Sequence, residues 1–150
     1  MLNEFQIGFI EHFQEFYNKT QFTIAKEEKL IKIPSKCEKV GPLFIYFEKD
    51  QITIDLNGFH HFHVDRFCFP DPDAVLNHEI YGKAIDSVID ILEDRVFFYQ
   101  ASSLVTGMKY ISKKEANWFV DFVNDLVLKY FAKKIISWSG EIKLSEFKKP

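Results

Sequence analysis

The sequence predicts an α+β domain in which antiparallel strands pack with about three helices. Three observations carry that prediction. Phenylalanines recur at helical spacing near the start. Apolar runs broken by Lys49-Asp50 and Asn57-Gly58 mark a central three-stranded meander over about residues 43–67. Beyond it, helical patterning alternates with short aromatic runs that are too brief for helices.

Phe5, Phe9, Phe13 and Phe16 lie between Glu4, Glu11 and Glu15, so residues 3–17 read as an amphipathic helix. "FTIAKEEKLIKIP" alternates around Lys26–Lys29 and suggests a hairpin ending near Pro34. Residues 34–42, with Pro34, Gly41 and Pro42, form a loop. In "LFIYFEKDQITIDLNGFHHFHVDRF", Asn57-Gly58 is a strong hairpin signal, because both residues tolerate the positive φ of a type I′ turn. If both turns are two-residue loops, Phe47 faces Ile52, Leu56 faces Phe59, Asp55 faces His60, Ile54 faces His61 and Ile52 faces His63. The apolar face of the meander would then carry His61, His63 and Asp65, and the other face His60 with Asp55.

"FPDPDAV" reads as a turn whose acidic residues suit a helix start. Tyr81, Ile85, Val88 and Leu92 make one stripe of a second helix over about 75–92. "DRVFFYQA" reads as a strand, and Thr106-Gly107 as the turn into another, "MKYI". Ser112 with Glu115 is a capping-box signature, continued by Phe119, Phe122, Val123, Leu126 and Tyr130 as a third helix to about 133. "IISWSGEIKL" closes the chain as a strand or extended tail with a glycine break. No repeat or linker divides the chain, so residues 1–150 are expected to form a single domain.

Composition narrows the function classes. A net charge of −3, from 22 acidic and 19 basic side chains, argues against a nucleic-acid binder and is compatible with a basic protein partner. The start lacks the positive end of a signal peptide, and no stretch approaches the roughly 18 apolar residues of a membrane span. Cys37 and Cys68 are too few and too far apart for a disulfide scaffold or a paired-cysteine zinc site, so a cytosolic protein with reduced thiols is expected. Phosphate-cradling, nucleophile-elbow and zincin motifs are absent, and no catalytic residue or cofactor is assigned.

The densest chemistry is "LNGFHHFHVD". Alternate residues on a strand lie on one face about 6.5–7 Å apart, so His61 and His63 can converge on a metal, with Asp65 as a third ligand and His78 as a fourth. Against this, their expected face is otherwise isoleucine, leucine and phenylalanine, where an imidazole serves structurally once hydrogen-bonded. The structural or partner-contacting reading outweighs the metal one. His60 opposite Asp55 offers a His–carboxylate pair, but no nucleophile accompanies it. Asp71 and Asp73 read as helix-entry caps, and Cys68, flanked by Phe67 and Phe69, as a small buried hydrophobe. Trp138, in a glycine-broken segment, reads as a lid over the core or a contact residue.

Taken in order, "ITIDLNGFHHFHVD", a helix, "DRVFFYQ", a second helix and "SWSGEI" resemble the small immunity proteins of bacterial polymorphic-toxin and contact-dependent inhibition systems, over roughly residues 43–145. The resemblance implies a cytosolic, non-enzymatic inhibitor that binds a cognate toxin domain stoichiometrically. Asp55, His60 and Trp138 are the candidate partner-binding residues. The competing readings are a small metal-dependent enzyme built on His61, His63 and Asp65, and an adaptor whose exposed aromatics bind some other partner.

Overall fold

The structure, a computed structural model, describes residues 1–16, 21–35, 37–102, 106–110, 126–128 and 130–142. Its antiparallel sheets and helices make it an α+β protein, as the sequence predicts. The chain divides into two compact units. Unit 1 is Met1–Pro34 with Gly41–Ile89, and unit 2 is Ser35–Val40 with Asp90–Pro150. Unit 2 is therefore built from two separate stretches of chain. Charge is unevenly shared: unit 1 carries 13 acidic and 7 basic side chains, unit 2 carries 9 and 12.

Unit 1 begins with α1 (Glu4–Phe16) and continues through strands β1 (Thr23–Ala25), β2 (Leu30–Ile33), β3 (Leu43–Phe47), β4 (Ile52–Leu56) and β5 (His61–Val64). These form an antiparallel meander in the order β1-β2-β3-β4-β5. A 3-10 turn (Arg66–Cys68) leads on to α2 (Asn77–Leu92), whose last residues cross into unit 2.

Local chemistry fixes α1. Asn3 Oδ1 accepts the Gln6 N–H and Gln6 Oε1 accepts the Asn3 N–H, both at 2.9 Å, a reciprocal capping box. Phe5, Phe9 and Phe13 fall on its buried side, while Glu4, Glu11 and Glu15 are exposed. Phe9 meets Phe47 of β3 with ring centroids 6.2 Å apart, and buried Gln6 donates from Nε2 to the Phe47 carbonyl at 2.9 Å. The helix is thereby pinned to one sheet face. On α2, Tyr81 packs edge-on against Phe5 at 5.1 Å and donates its hydroxyl to the Phe5 carbonyl at 2.9 Å.

Ile31, Ile33, Leu43, Ile45, Phe47, Ile52, Ile54 and Leu56 share the helix-covered face, each at most 1% exposed. Burying such a side chain contributes about 1.5–3 kcal/mol, so this face dominates the stability of the unit.

The predicted pairing of Phe47 with Ile52 holds, but the β4–β5 register differs from the expected one. Asp55 faces His61, not His60; Ile54 faces Phe62, not His61; Ile52 faces Val64, not His63. The reason is one extra residue. Asn57 and Gly58 take positive φ of 48° and 71°, as a type I′ turn requires, and the Phe59 N–H closes it on the Leu56 carbonyl at 2.8 Å. The Leu56 N–H then reaches the His60 carbonyl at 2.9 Å, so Leu56 is opposed by both Phe59 and His60. This is a β-bulge, and every side chain beyond it changes face. Phe62 and Val64 join the helix-covered side, with Val64 2% exposed, while His61 and His63 are exposed on the other side.

Unit 2 holds β6 (Val96–Gln100), β7 (Thr106–Tyr110), β8 (Lys134–Ser137) and β9 (Gly140–Ile142), in the order β7-β6-β8-β9. Its core gathers Phe97, Tyr99, Leu128, Ala132 and Ile135, with Val127 and Ile142 against them. Thr106-Gly107 does not form the turn that the sequence suggests. It opens β7, where Gly107 pairs with Tyr99 and a Cβ would overlap the Tyr99 hydroxyl. The closing segment is a hairpin, not a single strand. Asp94 clamps its turn by accepting the Ser139 N–H at 2.9 Å and the Ser139 hydroxyl. In the Ser35–Val40 stretch, Lys39 pairs with Glu141 of β9 at 3.6 Å, and Cys37 Sγ lies 3.8 Å from where a Cβ on Gly140 would sit. Of the third predicted helix, residues 126–128 and 130 are helical; its Ser112–Glu115 start lies outside the described residues.

Candidate functional site

The bulge gathers the chain's densest chemistry on the sheet face opposite the helices. Register places two lateral rows there. Thr23, Lys32, Phe44, Asp55 and His61 form one row; Ala25, Leu30, Tyr46, Thr53 and His63 form the other. Phe44 and Tyr46, on the middle strand, are half-buried with ring centroids 6.2 Å apart. The exposed Lys32 places its ammonium 5.8 Å from the Phe44 ring, within cation–π range.

The imidazoles are held in place. His61 and His63 stand edge to face with centroids 5.5 Å apart. His63 Nδ1 lies 2.8 Å from both Thr53 Oγ1 and Gln51 Nε2, and Gln51 Nε2 donates to Thr53 Oγ1 at 3.2 Å. An amide nitrogen only donates, so Nδ1 is the acceptor and the ring carries its proton on Nε2. Asp55 opposes His61, yet its Oδ1 turns along the strand to accept the Gly58 N–H at 2.7 Å. His60, the bulged residue, is half-buried with its ring 6.5 Å from Phe62. Burial pulls its pKa below the ordinary 6.5, as does neighbouring His61, while Asp55 pulls it back up.

The structure does not bring His61, His63 and Asp65 together as a ligand set. Asp65 caps the 3-10 turn, with Oδ1 accepting the Phe67 N–H at 2.9 Å and lying 3.8 Å from Cys68 Sγ. His78 is exposed on the first turn of α2. Among the described residues no three His, Cys, Asp or Glu side chains are grouped so as to hold a metal ion. Asp71 and Asp73 precede α2 in an exposed turn, and the Leu76 N–H at its start is taken by Glu79 Oε2 at 2.8 Å. Trp138 is buried at 9% exposure in the β8–β9 turn. Cys68 is half-exposed, not buried, and donates to the His63 carbonyl at 3.5 Å.

One exposed aromatic carries no periodic signal in the sequence. Phe67, on the 3-10 turn directly after β5, is 78% exposed, whereas Phe69 lies under the Lys83 ammonium at 4.9 Å. Neither helical nor strand periodicity marks Phe67, because it sits on a single tight turn.

No helix among the described residues is long and apolar enough to cross a membrane. No protein-family model, curated protein or solved structure matches the chain.

Proposed function

We propose that the chain is a non-enzymatic binding protein, an immunity protein that neutralises a cognate toxin domain in the cytosol by stoichiometric binding. Its docking surface is the sheet face that carries Phe44, Tyr46, His61 and His63. The supporting observation is the composition of that face. Two aromatic rings sit at its centre, and Lys32, Asp55, His61 and His63 surround them. An aromatic centre with a polar rim is the anatomy of a protein interface, and such anchors carry most of its energy. The face rests on regular strands, so little ordering entropy is lost on docking. The excess of acidic side chains in unit 1, 13 against 7 basic, favours a basic toxin domain and speeds its approach.

The test is co-expression with the product of the adjacent gene, followed by titration of the purified pair. A one-to-one complex is expected, and Phe44→Ala and Tyr46→Ala should each weaken it by about 30-fold or more, the effect of an anchor worth about 2 kcal/mol. A hydrolase or transferase activity that survives rigorous purification overturns the proposal. So does stoichiometric metal that is lost on His61→Ala, which moves the reading to the enzyme built on His61, His63 and Asp65.

A further inference from the structure

The turn that sets the register of the histidine face contains a reactive dipeptide. Asn57 and Gly58 are both exposed, and a Cβ at Gly58 would meet no atom within 4 Å outside its chain neighbours, so the turn is open to solvent. We infer that Asn57–Gly58 is a latent modification site, a succinimide-forming pair that the Asp55 carboxylate holds shut in the folded protein.

The reaction is ring closure followed by hydrolysis. The Gly58 nitrogen attacks Asn57 Cγ. A C–N bond forms, the Cγ–Nδ2 bond breaks, and Nδ2 leaves as ammonia with the proton that the Gly58 nitrogen gives up. Water then opens the imide at either carbonyl, giving aspartate or its β-linked isomer. The isomer adds a methylene to the backbone of a two-residue turn, and both products add a negative charge beside Asp55.

Two contacts oppose the first step. The attacking species is the deprotonated Gly58 nitrogen, and Asp55 Oδ1 accepts that N–H at 2.7 Å, which stabilises the protonated form. The Asn57 amide is seated against Gly41, which is free of a side chain and has φ of 75°; a Cβ there would overlap Asn57 Nδ2. Nucleophile and electrophile are thus held separately, one by each contact. Because the turn and its bulge decide which face His61 and His63 occupy, conversion at Asn57 would disturb that face without touching any residue on it.

The full chain is incubated at neutral pH, folded and in urea, and the peptide containing residues 50–66 is followed by mass spectrometry for amide-to-acid conversion. A hydrogen bond to a charged acceptor is worth enough to slow the folded wild type roughly ten- to a hundredfold relative to the unfolded chain. Asp55→Ala, checked for folding by circular dichroism, should convert faster than the folded wild type but more slowly than the unfolded chain, because the Asn57 amide stays seated against Gly41. Asp55→Asn, which keeps an acceptor oxygen but not its charge, should fall between and serves if Asp55→Ala does not fold. Equal rates in folded and unfolded wild type, or a folded Asp55 variant that converts at the wild-type rate, overturn the inference.

Discussion

Deleting His60 should leave the fold intact. His60 is the extra residue of the bulge, so the shortened chain, reading LNGFHFHVD, closes as an ordinary two-residue hairpin. The pairs Asp55–His61, Ile54–Phe62, Thr53–His63 and Ile52–Val64 then survive unchanged. The Leu56 N–H exchanges the His60 carbonyl for that of Phe59, and the half-buried imidazole goes with its contacts, among them the ring contact with Phe62 at 6.5 Å, so the expected destabilisation is below about 2 kcal/mol. The alternative is a one-residue slip of β5. That would expose buried Val64, at about 1.5–3 kcal/mol, and half-buried Phe62, at about half as much, and bury His61 and His63 without partners, at about 1–3 kcal/mol each. The sum, about 4–10 kcal/mol, rivals the whole stability of a domain, about 5–15 kcal/mol. Urea denaturation followed by circular dichroism separates the two outcomes. Deletion of Thr53 is the comparator: β4 is paired on both sides and contains no spare residue, so that chain should lose cooperative unfolding. If the His60 deletion behaves like the Thr53 deletion, the bulge assignment is wrong.

Two further outcomes follow from buried polar groups. Gln6→Leu keeps the volume of a side chain 2% exposed but removes its donation to the Phe47 carbonyl and its cap on the Asn3 N–H. One neutral hydrogen bond and one stranded carbonyl predict a loss of about 2–4 kcal/mol by denaturant titration, and a loss under about 1 kcal/mol would show that α1 is not pinned to β3 in this way. His60 should make stability depend on pH. Its folded pKa lies below the unfolded 6.5, so above 6.5 both states are neutral, and as pH falls below 6.5 the unfolded chain takes up a proton that the folded one resists. Stability therefore declines on acidification from about 6.5 towards the folded pKa, and His60→Gln should flatten that part of the profile; an unchanged slope would assign it to other groups.

Much of the fold was readable because its signals are strong and local. The phenylalanine stripe of α1, the Lys49-Asp50 and Asn57-Gly58 breaks and the α2 stripe all correspond to observed elements. The histidine-dense stretch likewise marks the face proposed for docking. The register failed for a specific reason. Asn57-Gly58 signals the turn type but not the bulge that follows it, although "HFHV" itself alternates imidazole with apolar side chains. Burying Phe62 and Val64 instead of His61 and His63 is worth several kcal/mol, enough to offset the distortion of a bulge. Thr106-Gly107 mimics a turn because a glycine that makes room for a facing tyrosine looks the same in sequence as one that turns the chain. Phe67 left no periodic trace at all, since exposure on a 3-10 turn follows from the cap that Asp65 provides.

The split composition of unit 2 bears on any attempt to dissect the molecule. Its C-terminal portion begins at Asp90, but six residues from between β2 and β3 belong to it as well, tied through Lys39 to Glu141. A fragment starting at Asp90 would lack Ser35–Val40, and one ending at Ile89 would carry that hexapeptide without Gly140 and Glu141, which it meets in the whole chain. A single cut thus yields no pair of self-sufficient halves. The piece that would restore the second fragment is short enough to supply as a synthetic peptide, or to join to its terminus through a designed linker.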